Sequence, residues 1–483
     1  MRKIIDLKYP DQIILFTIIV ILVLVSYSGS ILAKEMNPEE AIRWGVENNY
    51  DLNTIRNSLL ELERNLEILD AAQSFQVDFS VTPIWYFGKN RENSVEVNDN
   101  AFSPSTEVSL SATKILSDHI NLSTEIAWET DDLMQTDYRK ITSEMNANIK
   151  LSKQVYPDSW TENEKQVYNI KNSLRMKLEE LEWEEMEKQI EFVQGYLNVI
   201  RLQEQVILAR ERVTLARDTL TRIGKQIELG EGGYQQETEA QIALEEAENQ
   251  LVNQEQGLSL AKKQWFLNLN LPEDTIVYFG DGTDFIQNLF SLMESLKINE
   301  IDRLAIIADA QKKHYRIKNS EVELEALVKE LEWMEDEGKP KVNLSGGYQY
   351  PGDWFAMVDF SVNLADGGAQ KLKEQQKKAN IQQKEVSIAY LKEQLRLEGE
   401  QLIDQDLYNR LYLDTQLLIL KKEQHKAEIL EKQYQQEAIS ETQWKNELLA
   451  LKEKEMNMKK AEDQWFVDRL KLAHFIGYLR EEI

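Results

Sequence analysis

The sequence contains no cysteine, which excludes disulfides, thiolate metal sites, cysteine catalysis and lipidation at cysteine. Histidine is scarce, and His119, His314, His425 and His474 fall at no metal-ligand spacing, so each reads as incidental. Proline is absent from Asp158 to Leu271 and after Pro351. Each of these windows exceeds 110 residues, and nothing in either forbids continuous helix. There is no surplus of basic charge. The net charge of −28 opposes contact with nucleic acid or anionic headgroups through a basic face. No nucleophile motif, phosphate loop or metal spacing occurs, and runs such as Glu179-Glu180 read as solvated helix surface. The pattern suggests neither an enzyme nor a cofactor.

What is present is organised around Leu202 to Trp265. Leu202, Val206, Ala209, Val213, Ala216, Leu220, Ile223 and Ile227 keep an unbroken 4-3-4-3 spacing, the seam of a coiled coil. Leu229-Gly230-Glu231-Gly232-Gly233-Tyr234 then supplies the backbone freedom of a helix end. The seam resumes at Ala240, Leu244, Ala247, Leu251, Leu258, Ala261 and Trp265, with Gln254 its only polar member. Two matched seams about a glycine turn predict an antiparallel helical hairpin over 158–270.

The N-terminal stretch carries Arg2, Lys3 and Lys8, an apolar run from Ile13 to Val25, and small or polar residues to Ala33. This is the layout of a cleaved secretory signal over 1–33, with a membrane anchor as the competing reading. Asn37-Pro38-Glu39-Glu40 starts a short helix to about Asn48, and a second helix runs from about Asp51 to Gln73. The period then becomes two. Phe75, Val77, Phe79 and Val81 alternate with polar residues, as do runs near 108–112, 120–128 and 141–151, separated by Asn/Asp-rich stretches such as Glu96–Asn100 and Asp131–Asp137. Asp158 is placed to cap a helix running to about Leu229, on the order of 105 Å long at ~1.5 Å per residue.

Gly280-Asp281-Gly282 marks a link, after which the plan repeats. Helices are expected at about Asp284–Leu296 and Asp302–Glu335, and strands at 341–364 about the turn Pro351-Gly352-Asp353. A long helix then carries Ile381, Ile388, Leu395 and Leu402 one heptad apart. Ala438-Ile439-Ser440 occupies the place of the first glycine turn, giving a second hairpin over 369–477. The sequence thus reads as a first repeat, 34–272, with strands at about 75–151, and a second, 273–483. Alternating strands have two readings: a soluble sandwich with its apolar face inward, or a membrane barrel with that face in lipid. Trp85-Tyr86-Phe87, Tyr348, Tyr350 and Trp354-Phe355 at strand ends favour the barrel.

Over roughly residues 36–477 the chain resembles the TolC family of outer-membrane efflux channels. Ser361-Val362-Asn363-Leu364-Ala365-Asp366-Gly367-Gly368 resembles that family's strand-to-helix junction, and Leu151-Ser152-Lys153-Gln154-Val155-Tyr156-Pro157 is similar to the same junction in the first half. The junction residues are Pro157, Asp366, Gly367 and Gly368. The resemblance implies a mainly α protein with membrane β structure. It implies a homotrimer that builds a long α-helical coiled-coil barrel in the periplasm and one shared transmembrane β-barrel from two structural repeats. It further implies an exit duct for a tripartite efflux or type I secretion system, served by a periplasmic adaptor (membrane fusion) protein and an inner-membrane transporter. Gly230, Gly232, Gly233, Tyr234, Ile439, Ser440 and Thr442 would form the tip that meets the adaptor. Some members carry acidic residues just past the second tip; here the matching Gln443 and Asn446 are uncharged and would serve as polar lining. The first half also departs by having about 80 residues between its helices where the second has about 30. Its middle pair of strands, about 105–129, would either join the barrel or stand outside it as a hairpin. Other readings are an exported periplasmic adaptor or a structural coiled-coil protein without a channel.

Overall fold

The computed structural model describes residues 35–88, 101–116, 120–130, 145–272, 275–280, 287, 291, 303–350, 352–363 and 366–477. The segment read as a signal, the Asn/Asp-rich loops and nearly all of the helix expected at 284–296 lie outside them. No helix among the described residues is long and apolar enough to cross a membrane. The chain divides into two compact units, one of residues 1–54, 182–314 and 395–483, the other of 55–181 and 315–394.

In chain order the elements are β1 (Glu35–Met36), α1 (Pro38–Asn48), α2 (Tyr50–Ala72), β2 (Gln76–Gly88), β3 (Ala101–Ile115), β4 (Ile120–Thr130) and β5 (Met145–Tyr156). There follow α3 (Glu162–Glu228), α4 (Tyr234–Asn268), β6 (Ile276–Val277), α5 (Arg303–Lys313), α6 (Tyr315–Glu337), β7 (Lys341–Tyr350), β8 (Asp353–Ser361), α7 (Ala369–Gln435) and α8 (Glu441–Phe475). The helix lengths recur: α3 and α7 have 67 residues each, α4 and α8 have 35. The expected seams are buried in part, with Leu220, Ile223, Ile227, Leu244, Leu251 and Leu258 half-buried. Val206, Ala209 and Val213 of α3 are buried, as are Ala240 and Trp265 of α4 and Ile388 and Leu395 of α7.

Two expectations about helix boundaries are corrected. Asp158 does not cap α3. Thr161 does: its Oγ1 accepts from the Glu164 N–H at 3.3 Å, while Glu164 Oε2 accepts from the Thr161 N–H at 2.8 Å. Such a reciprocal box is worth about 1 kcal/mol, and the Thr-x-x-Glu spacing outranks an isolated aspartate. The single helix expected at 302–335 is two, broken at His314. That ring is buried, its centroid 4.2 Å from that of Trp183 and 5.8 Å from that of Phe475, and His474 lies against the same indole, tilted by 43°, at 4.2 Å. Two of the histidines read as incidental are therefore packing elements in the first unit. A helical period running through both pieces hides such a break.

The sheet lies in the second unit. Its strand order is β2-β3-β4-β5-β7-β8 with antiparallel neighbours throughout. The alternation read from sequence becomes continuous rows across all six strands. One row is Val77, Ala112, Thr124, Ile149, Tyr348 and Trp354; the next is Asp78, Ser111, Glu125, Asn148, Gln349 and Asp353. Successive residues of a strand face opposite sides, so one face of the sheet is apolar and the other polar. A one-residue slip in any pairing would exchange them, which is why the pattern fixes the register. Phe79, Val81, Val358 and Phe360 of the apolar face are exposed.

Candidate functional site: hairpin tips and strand-to-helix junctions

Both tips lie in the first unit and close in the same way. At the first, Gly230 has φ +79°, its N–H donates to Ile227 O at 2.9 Å, and the Glu231 N–H donates to Gln226 O at 2.8 Å. At the second, Glu437 has φ +59°, its N–H donates to Tyr434 O at 2.9 Å, and the Ala438 N–H donates to Gln433 O at 2.8 Å. Each is a left-handed helix end with paired 5→2 and 6→1 hydrogen bonds. In the second, a glutamate occupies the position that glycine fills in the first.

The three glycines of the first tip have different roles. Gly230 is required by its backbone angle. A Cβ at Gly232 would lie 2.9 Å from Ile227 Cγ1, so packing restricts it. A Cβ at Gly233 would meet nothing within 4 Å, and its φ of −113° suits any residue. The Gly233 N–H donates to Gln236 Oε1 at 3.4 Å, which starts α4. Tyr234 is 83% exposed and Leu229 76%, so two large apolar surfaces stand free beside the turn. At the second tip Ser440 caps α8, its Oγ accepting from the Gln443 N–H at 3.2 Å. Ile439 is half-buried, and Gln443 and Asn446 are exposed on the opening turns of α8.

Thr442 and Asn446 share a groove of about 410 Å³ with Ala216 and Thr219 of α3 and Ala240 and Ala243 of α4. The structure thus brings the start of α8 against the first hairpin, whereas Gly230, Gly232, Gly233 and Tyr234 are not in that groove. Trp444, which sequence reasoning passed over, stacks on Tyr434 with ring centroids 6.3 Å apart. Lys445 donates to Glu441 at 2.8 Å, and that hydrogen bond holds the Glu441 carboxyl below the usual carboxylate range.

Also missed was the charge pattern joining α3 to α8. Glu204 pairs with Lys459 at 2.5 Å, Glu211 with Lys452 at 2.7 Å and Asp218 with Lys445 at 3.9 Å. Each step is seven residues on both helices, so one antiparallel register serves the whole ladder. Leu208 and Leu215 pack with Leu449 and Met456 beside it. Further from the tip the same helices carry a buried pair, Arg201 with Asp463 at 2.5 Å.

The junction residues lie in the second unit. Asp366 Oδ1 accepts from the Gly368 N–H and Oδ2 from the Gln370 N–H, both at 2.8 Å. These backbone donors hold the Asp366 carboxyl below its ordinary range. Gly367 and Gly368 have φ +66° and +83°, so the turn after β8 needs both. Leu364 and Ala365 lie outside the described residues. In the first half Pro157 is buried, and Gln154 Nε2 donates to Pro157 O at 2.9 Å and Ser159 Oγ at 3.0 Å. The two junctions turn strand into helix by different contacts: a carboxylate clamp in one, a proline tied back by an amide in the other. No group of histidine, aspartate or glutamate among the described residues is arranged to hold a metal ion.

No protein-family model and no curated protein matches the sequence. Solved structures do match the fold. CusC, described through its transmembrane channel formation, aligns with a TM-score of 0.63 at 13% identity, over 91% of this chain and 92% of that one. The outer membrane protein VceC from Vibrio cholerae aligns with 0.60 at 13%, over 91% and 96%. The CmeC outer membrane channel of Campylobacter jejuni aligns with 0.60 at 11%, over 91% and 85%. The chain therefore has the fold of outer-membrane channels, the architecture that its junction motifs and repeated element order resemble.

Proposed function

We propose that this protein is the outer-membrane exit duct of a tripartite efflux or type I secretion system. The observation that carries the reading is the six-stranded antiparallel sheet, apolar on one face and with no further strand on its outer β2 and β8 among the described residues, on a chain that also builds two long helical hairpins. Open edges are not tolerated in lipid, so several copies must share one wall. The homotrimer of the resembling family satisfies this, with the apolar face against outer-membrane lipid and the helices in the periplasm.

Exposed apolar side chains support association of copies. Ile242, Leu260 and Leu267 stand out on α4, and Leu397, Tyr408 and Leu411 on α7. In this reading residues 1–33 are a cleaved export signal, and 34–272 and 273–483 are two repeats, a division favoured by the equal helix lengths. The residues Gly230, Gly232, Gly233, Tyr234, Ile439, Ser440 and Thr442 meet the periplasmic adaptor, which connects the duct to an inner-membrane transporter. Gln443 and Asn446 line the tip. The net charge of −28 favours cations in the lumen.

The test is single-channel conductance of the detergent-extracted protein in a planar bilayer, with native mass measured alongside. Discrete, cation-preferring conductance from a trimer is expected. A non-conducting monomer or dimer overturns the duct, and anion-preferring reversal potentials overturn the acidic lumen.

A further inference from the structure

We propose that β3 and β4 are wall strands of the pore, so that each copy contributes six strands and three copies close an eighteen-strand barrel. This rests on the shared-barrel trimer proposed above. It specifies how wide the barrel is and which side chains line it.

The register of the strands supports this. A hairpin standing outside the membrane has water on both faces and no reason to keep its apolar residues on the face of its neighbours. Here β3 and β4 keep them there. Phe79 of β2 pairs with Leu110 of β3, Leu110 with Ile126 of β4, and Ile126 with Ala147 of β5. Leu122 of β4 pairs with Leu151 of β5, and the row continues through Gly346 to Ala356 of β8; its β3 member is Lys114, one residue from the end of that strand and the charged exception on this face. The opposite face of the same two strands carries Ser109, Ser111, Ser123 and Glu125, in line with Asp78 and Asn148 on the flanking strands. β2 and β5 pair only through β3 and β4, so the sheet is continuous because the middle pair is in it.

Length and direction agree. β4 has 11 residues and β3 has 15, and tilted strands of about 9–11 residues cross a bilayer. Six strands per copy is an even number. The last strand of one copy therefore meets the first strand of the next antiparallel, as every described pairing within the sheet is. With strands about 4.8 Å apart and tilted by about 40°, eighteen strands give a backbone radius of roughly 18 Å. The four that would remain without β3 and β4 would give twelve in all and roughly 12 Å.

The natural chain lacks cysteine, so single cysteines report without background. Leu110→Cys, Ile126→Cys, Ser111→Cys and Ser123→Cys, each nitroxide-labelled in liposomes, are compared for relaxation by oxygen and by a water-soluble nickel chelate. Phe79→Cys and Val358→Cys serve as controls on strands that face lipid under either account. The proposal expects labels at 110 and 126 to follow the controls, with oxygen access and no nickel access, and labels at 111 and 123 to show the reverse. Equal nickel access at all four positions, with controls still in lipid, places the hairpin in water and overturns the proposal. Nickel access at the controls as well overturns the membrane-barrel reading and the proposal with it. A native mass other than three copies overturns the count of eighteen, and the alternation at the labels then decides separately whether β3 and β4 line the wall.

Discussion

Gly230 and Glu437 hold the same backbone conformation for the same hydrogen bonds, yet only one of them is suited to it. A non-glycine residue in the left-handed region costs about 1 kcal/mol. Glu437→Gly should therefore raise the apparent melting temperature, and Gly230→Ala should lower it by a comparable amount. An unchanged Glu437→Gly melt would mean that the second tip does not limit stability. Gly233 allows a cleaner functional test, because nothing occupies the space where its side chain would stand. Under the proposed function, Gly233→Trp should leave folded trimer in the membrane and abolish efflux if the turn meets an adaptor. Loss of trimer together with efflux would reduce this glycine to a turn former. Gly232 cannot separate the two roles, since Ile227 already crowds it.

Among the elements, the hairpins, their seams and the alternating strands could be read directly from spacing, because burial with a period of 3.5 or of 2 leaves an apolar signal. The ladder between α3 and α8 could not. Glu204, Glu211 and Asp218 look like solvated surface in a chain with 29% charged residues, and only the antiparallel register shows each acid its lysine. The cap at Thr161 was visible as Thr-x-x-Glu and was missed for Asp158. The break at His314 left no sequence signal. The ladder has a measurable consequence. Its central pair is partly exposed, so a double-mutant cycle on Glu211 and Lys452 should give a coupling of about 0.2–1 kcal/mol that shrinks with added salt. Glu211→Lys should destabilise, and Lys452→Glu in the same chain should restore stability. A salt-independent or absent coupling would assign the α3–α8 register to Leu208, Leu215 and Leu449 alone. The buried Arg201–Asp463 pair differs in kind, since removing one partner there leaves a desolvated charge.

For the whole molecule, charge and association oppose each other. In the proposed trimer, copies of so acidic a chain, −28 over the full sequence, repel, so whatever holds them together must overcome that repulsion. The exposed apolar side chains of α4 and α7 offer the means. On α7, Leu397 and Leu411 are 53% and 57% exposed and lie two heptads apart, on the face that also shows Tyr408. Burying such side chains against another copy gains roughly 1.5–3 kcal/mol each. An interface of this kind has a definite response to salt. Screening weakens the repulsion and leaves apolar burial intact, so the proposed trimer should tighten as ionic strength rises, whereas an interface built on ion pairs would loosen. Leu397→Glu combined with Leu411→Glu should convert the trimer to monomer in detergent while the helical circular dichroism stays unchanged. A double variant that remains trimeric, or a wild-type trimer that dissociates in salt, would move the interface away from this face of α7.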